Sequence, residues 1–220
     1  MSVFITGTDT GVGKTSFTVW LLQRLREGGV SCAGYKPICC GDRDDAVQLR
    51  AAGTPGLTID EINPLWLRTA AAPLAAAQAE GREIDLALLR EGFFRLRERC
   101  DFIAVEGVGG WMVPIKADYL SSDLARELGL PVVVIALNRL GCLNHTLLTI
   151  RAVESAGLPC AGVVLNQLAS DSEVATGTNA EILRDYLALP VLGRFERDQF
   201  EVPPSLVQML PELGDLLSTS

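Results

Sequence analysis

The chain has a single histidine, His145, and no C-x-x-C pair among its six cysteines. A metal centre built on histidines is thereby excluded, and no paired-thiol motif exists to hold an ion or run a redox step. Its longest apolar run, PVVVIAL at 131–137, is far too short to cross a bilayer. The opening stretch MSVFITGTDT has neither a basic region nor a long apolar segment, so no signal peptide and a cytoplasmic address are expected. In that compartment the six cysteines are expected to be reduced. There is no basic stripe, and the net charge of -8 with a pI near 4.7 argues against a nucleic-acid partner. The tail SLVQMLPELGDLLSTS carries no Lys or Arg, which argues against a membrane-surface helix. No internal repeat, low-complexity segment or dividing linker is present.

What remains is ordinary globular material, 48% hydrophobic and 21% charged over 220 residues. That length suits one domain spanning 1–220 and falls short of two. Short apolar runs alternate with stretches of helical period. Strands are expected at 3–6, 31–38, 102–107, 131–137, 160–166 and 190–195. Helices are expected at about 14–26, 44–52, 84–100, 121–129, 144–157 and 178–187, with one more acidic helix after Pro203. The Pro-bearing region 54–83 holds at most a short helix in its alanine-rich part. Strands apolar throughout, each followed by a helix, describe a mostly parallel sheet covered on both faces. The fold class is therefore a single-domain doubly wound α/β fold, with ligands beyond the carboxyl ends of the strands, and the glycine-rich G-K-T turn that follows the first strand makes it P-loop NTPase-like.

Four segments at those ends carry chemistry. TGTDTGVGKT (6–15) is a glycine-rich turn between strand and helix, whose N–H groups would face a phosphate chain. Lys14 would reach the terminal phosphates and Thr15 would offer a hydroxyl to Mg²⁺. The strict spacing would put the first glycine at Thr8; here it is Gly7, one place earlier. In VEGVGGW (105–111), Glu106 closes a buried strand, where a charge is costly unless paired. The segment's glycines leave room for a ligand near the backbone. In YKPICCGDRDDA (35–46), Lys36 ends a strand near the P-loop. Asp45 is either a first-turn helix charge or a third oxygen donor beside Thr15 and Glu106. Cys39 and Cys40 are adjacent, so chelating one ion is difficult, and they read as small residues in a crowded loop. Finally, GCLNH (141–145) opens a helix whose free N–H groups would suit a carboxylate, with Asn144 as a candidate cap.

Taken in order, G-T-D-T-x-V-G-K-T, Y-K-P, D-A-x-x-L, V-E-G-x-G-G-W and L-G-C-x-N-H resemble the dethiobiotin synthetase family from Phe4 to about Asn166. The resemblance implies an ATP-dependent carboxylation and ring closure of 7,8-diaminopelargonate with CO₂, in biotin biosynthesis. It implies ATP and Mg²⁺ as cofactors and a homodimer as the working form. Carried over by position, Lys14 and Lys36 would flank the γ-phosphate and the substrate carbamate, with Thr10 positioning the latter. Gly11, Val12, Gly13, Lys14, Thr15 and Ser16 would cradle the phosphates, with Gly107, Val108 and Gly109 nearby. Thr15, Asp45 and Glu106 would hold Mg²⁺. Asn166, with Gln167, would read adenine. Gly141, Cys142, Leu143 and Asn144 would receive the substrate's tail carboxylate from a neighbouring subunit. This chain departs from the family at Gly11, where some members carry an acid. Cys40 stands at a substrate-touching serine position, where a thiol is the weaker donor. The RFERD segment, with Phe195 to Arg197 at the base-contacting place, also differs. Two other readings use the same fold: another amidoligase-like synthetase, and a nucleotide-switched ATPase.

Overall fold

The computed structural model describes residues 1–167, 173–188 and 191–195. In chain order the elements are β1 (Ser2–Gly7), α1 (Lys14–Glu27), β2 (Cys32–Tyr35), β3 (Ile38–Cys40), α2 (Asp44–Ala52), α3 (Ile59–Ile62), β4 (Leu65–Leu67), α4 (Pro73–Ala79) and α5 (Leu86–Arg97). There follow β5 (Phe102–Gly110), β6 (Pro114–Lys116), β7 (Tyr119–Leu120), α6 (Ser121–Leu128), β8 (Val132–Leu137), α7 (Cys142–Ser155), β9 (Cys160–Asn166), α8 (Glu173–Tyr186) and β10 (Val191–Phe195).

Among the described residues the main sheet has six strands in the order β10-β9-β8-β1-β5-β2, every pair parallel. Its inner strands β1 and β8 are buried almost throughout, because helices cover both faces. The carboxyl ends of β1, β5, β2, β8 and β9 therefore share one edge, as the fold class requires.

Local sequence explains several element boundaries. Asp85 caps α5 by accepting from the Ala87 and Leu88 N–H groups. Gly92, mid-helix in α5, is needed for packing: a Cβ there would sit 2.4 Å from the Tyr35 hydroxyl. That hydroxyl donates to the Leu89 carbonyl at 2.6 Å.

The structure corrects four sequence-based expectations. The strand expected at 31–38 is two strands in different sheets. Pro37 has no N–H to extend the ladder, and the Lys36 N–H turns away to the Ile62 carbonyl. The region 54–83 holds α3, β4 and α4, and β4 pairs in parallel with β3. The helix expected from 144 begins at Cys142, so Asn144 lies inside its first turn. The cap is Gly141, at φ 90°. The helix expected at 178–187 begins at Glu173. The acidic helix expected after Pro203, and the 196–198 part of RFERD, lie outside the described residues. No described helix is long and apolar enough to cross a membrane.

Candidate active site

The turn from β1 into α1 is built by its glycines. A Cβ on Gly7 would meet the Asp9 carbonyl at 2.7 Å, Val12 Cγ2 at 2.8 Å and Lys14 Nζ at 3.0 Å. The loop thus folds back over residue 7, and the close approach there demands a glycine. Gly11 and Gly13 have φ of 74° and 95°, a region other residues avoid. Gly13 caps α1 with no side-chain hydrogen bond, so the first N–H groups of the helix face the loop.

Lys14 is 6% exposed and its ammonium donates to the Asp9 carbonyl at 3.1 Å. Burial, and next the nearby Lys36 charge, push its pKa down to about 8 from 10.5. Protonation is therefore disfavoured in the folded chain, which binds fewer protons than the unfolded one between these values. Stability consequently rises with pH across that window, by about 3 kcal/mol in all. An anion at the loop restores the ordinary preference for charge. Nucleotide binding at about pH 8.5 should therefore take up protons, and below about pH 7 it should not, since Lys14 is then already charged. Calorimetry in buffers of different ionisation enthalpy reads this; no uptake at the higher pH contradicts it.

Beside the loop, the residues predicted from three separate strand and helix ends meet. Lys36 Nζ donates to Asp45 Oδ2 at 2.8 Å and to Glu106 Oε1 at 2.6 Å. Thr15 Oγ1 lies 2.7 Å from Asp45 Oδ1 and 2.9 Å from the same Glu106 oxygen. Asp45, in the first turn of α2, thus joins this cluster and is not only a helix-end charge. Burial alone would lower the Lys36 pKa, but Glu106 and then Asp45 outweigh it and hold the ammonium above the ordinary lysine value. It stays charged at any physiological pH, so it acts by charge and cannot serve as a base. Burial would likewise raise the Asp45 carboxyl; Lys36, by charge and hydrogen bond, holds it below the usual range.

Two features fit these residues to a hard cation. The Thr15 hydroxyl has one proton but two carboxylate oxygens within hydrogen-bond reach. Glu106 is fully buried and its Oε2 has no hydrogen-bond partner. Oxygen donors from a threonine and two carboxylates, with lone pairs to spare, fit a hard cation such as Mg²⁺.

A cavity of about 760 Å³ opens over this cluster. Thr10, Gly11, Gly13, Lys14, Thr15, Ser16, Lys36, Cys40, Asp45, Val108 and Gly109 all line it. Ala70 to Pro73 form an opposite wall that sequence reasoning did not foresee. Nine predicted residues do not line it. Val12 is buried and its carbonyl accepts from Asn166 Nδ2 at 2.9 Å. Glu106 sits behind Lys36. Gly107 answers to packing, since a Cβ would press on the Phe4 ring at 3.0 Å. Asn166 and Gln167 lie on the far side of the loop, and a Cβ on Gly13 would come 2.0 Å from Asn166 Nδ2. The Gly141–Asn144 turn is not part of this cavity. Cys39 and Cys40 line it as thiols: burial raises them to about 12 and about 11, so neither offers a thiolate.

A family model described as an AAA domain matches residues 1–204. The ATP-dependent dethiobiotin synthetase of Akkermansia muciniphila is 41% identical over 195 residues, which cover 89% of this chain and 92% of that protein. The enzyme of the same name from Aromatoleum aromaticum is 42% identical over 198 residues, covering 86% and 88%. Among solved structures, the septum site-determining protein MinD complexed with Mg-ADP from Pyrococcus horikoshii superposes with a TM-score of 0.56. It is 19% identical over 96% of this chain and 90% of its own, a likeness of fold alone. The nucleotide-switch alternative is therefore not favoured.

Proposed function

Because this chain belongs to the ATP-dependent dethiobiotin synthetase family, we propose that its buried Lys36 ammonium offsets the charge that builds up as carbamate and γ-phosphate meet. The enzyme is an ATP-dependent ligase of biotin biosynthesis. It joins CO₂ to 7,8-diaminopelargonate and closes the ring to dethiobiotin, with ADP and phosphate as the other products. Such a reaction brings two anions together. Holding them in line and offsetting their repulsion is most of the catalysis.

The observation that carries this reading is the placement of Lys36 Nζ within 2.8 Å of both Asp45 and Glu106, beside the P-loop threonine. No other cation of the described residues touches both acids. Lys14 and the N–H groups at the start of α1 hold the phosphates. Thr10, exposed at the cavity rim, orients the carbamate with the loop's main chain. Thr15, Asp45 and Glu106 would hold Mg²⁺, which supplies further positive charge to the phosphate oxygens when bound. Asn166 and Gln167 face the base. Cys40 stands where the substrate's backbone would run.

The homodimer belongs to the same proposal. An open groove of about 350 Å³ beside Thr8–Thr10 runs between Trp111–Val113 and Leu148, Thr149 and Ala152 of α7. Its apolar rim includes Met112 at 59% exposure and Leu148 at 58%. A second copy seated there would bring its own Gly141–Asn144 turn to the substrate's tail.

Incubation of the purified chain with ATP, Mg²⁺, bicarbonate and the diamine should give a product heavier than the diamine by CO₂ less water. ADP without that product would sink the assignment.

A further inference from the structure

Behind the base-facing pair lies a buried chain of side-chain amides. Asn138 follows β8 directly, is 0% exposed, and its N–H extends the sheet by donating to the Asn166 carbonyl at 2.8 Å. Its side chain spends both amide hydrogens. Nδ2 donates to Gln167 Oε1 at 2.8 Å and to the Thr176 carbonyl at 3.1 Å. Its Oδ1 accepts from Asn179 Nδ2 at 2.9 Å, and Asn179, in α8, is 5% exposed. Asn179 Nδ2 also approaches the Arg139 carbonyl and Cys142 Sγ, each at 3.3 Å.

The orientation of this chain is dictated by chemistry. A backbone carbonyl can only accept. The Thr176 and Arg139 carbonyls, at opposite ends, therefore each demand an amide nitrogen. With Asn138 nitrogen toward Thr176, its oxygen must face Asn179, whose nitrogen is already turned that way. The remaining Asn138 hydrogen then demands an oxygen from Gln167. The Gln167 amide is thereby locked: its oxygen points into the network and, among the described residues, nothing accepts from its nitrogen, whose hydrogens are left for an outside acceptor. Gln167 is half-buried and directly follows Asn166, which grips the P-loop at Val12.

We propose that Asn138 and Asn179 are positioning residues that hold Gln167 as a fixed hydrogen-bond donor toward the nucleotide base and so set base discrimination. This rests on the reading of Gln167 as a base contact. A free glutamine amide flips and offers either donor or acceptor to whichever base arrives; a locked one does not. Neither asparagine touches nucleotide. Each acts through Gln167.

The test compares kcat/KM for ATP and ITP, whose purine rings exchange donor and acceptor at the 6-position and N1. In the parent chain the ratio should stand away from one. Gln167→Ala should bring it toward one. Asn138→Leu, which frees the amide to flip, should move it the same way, by about tenfold for one mispaired buried hydrogen bond. Asn138→Asp is isosteric and, when ionised, only accepts; it also sets an oxygen against the Thr176 carbonyl, which costs stability. At a pH where it is charged it favours the Gln167 nitrogen inward and its oxygen outward, so the ratio should move further than in Asn138→Leu, toward the other side of one. Should Asn138 variants fail to fold, Asn179→Ala removes only the outer clamp and should give a smaller shift in the same direction as Asn138→Leu. A loss of packing alone would lower both rates together and leave the ratio in place. If Gln167→Ala leaves the ratio unchanged, the base contact is wrong and the proposal falls with it. If Gln167→Ala shifts it and the asparagine variants do not, the contact stands and the positioning role is overturned.

Discussion

Replacing Lys36 by glutamine is expected to leave nucleotide binding within a few fold and to cut turnover about 10²–10³-fold, the usual scale for losing one preorganised charge-stabilising donor. The same change should destabilise the nucleotide-free chain, and the reason lies with Glu106. That carboxylate is 0% exposed, its Oε2 has no hydrogen-bond partner, and Lys36 is the cation that touches it. Removing one partner of a buried pair costs about 3–5 kcal/mol, because the other charge is left uncompensated. For a chain of this size that is a drop of about 6–20 °C in Tm. Asp45 contributes less to this loss, since its side chain is 43% exposed and water can replace the ammonium there. Mg-ADP should recover more of the lost Tm in the variant than it adds to the parent, because a cation among Thr15, Asp45 and Glu106 replaces the missing charge. Thermal denaturation with and without Mg-ADP, beside a turnover assay, measures all three effects. Full turnover in the variant would remove Lys36 from the chemistry. An unchanged Tm would show that Glu106 does not depend on it.

The cluster around Lys36 was legible in the sequence because each member ends a recognisable element. Lys36 follows an apolar strand, Glu106 stands near the end of the fully buried part of β5, Thr15 lies in the first turn of α1, and Asp45 lies in the first turn of α2. A charge where a buried run stops must find a partner, and parallel strands bring such stops to one edge. The same logic, applied to PVVVIALN, would have found Asn138: a polar residue closing a fully apolar strand. Its partner Asn179 gives no such signal. It sits mid-helix in α8, and only the tertiary fold brings it to Asn138. The short ladders were also beyond reach. β3 and β4 are three residues each, too brief for a period, and they pair across a connection that holds α2, α3, Pro55 and Pro64. Asn144 misled for a different reason. It is a good capping residue, but Gly141 can take the left-handed backbone that starts α7 earlier, so the cap moved upstream.

Gly13→Ala should be the most damaging added methyl among the described glycines, abolishing measurable nucleotide binding while lowering Tm by several degrees. Two costs combine. At φ 95° an alanine is strained by about 1–2 kcal/mol. Its Cβ would also fall 2.0 Å from Asn166 Nδ2, far inside contact distance, so Asn166 must leave. That breaks the buried hydrogen bond to the Val12 carbonyl, worth about 1–3 kcal/mol when a buried group is left unpaired. The displaced Val12 carbonyl belongs to the phosphate loop itself, so the loop loses its shape as well as its stability. The two costs are separable. In Asn166→Ala the obstacle is already gone, and adding Gly13→Ala should then cost only the backbone strain. A double-mutant cycle on Tm and unfolding free energy should therefore show a coupling of about 1–3 kcal/mol between residues 153 positions apart in sequence, close to the hydrogen-bond share of the loss. Strict additivity would mean that Asn166 does not brace the loop. In that case the side chain that closes β9 and the turn that closes β1 would be neighbours without being partners.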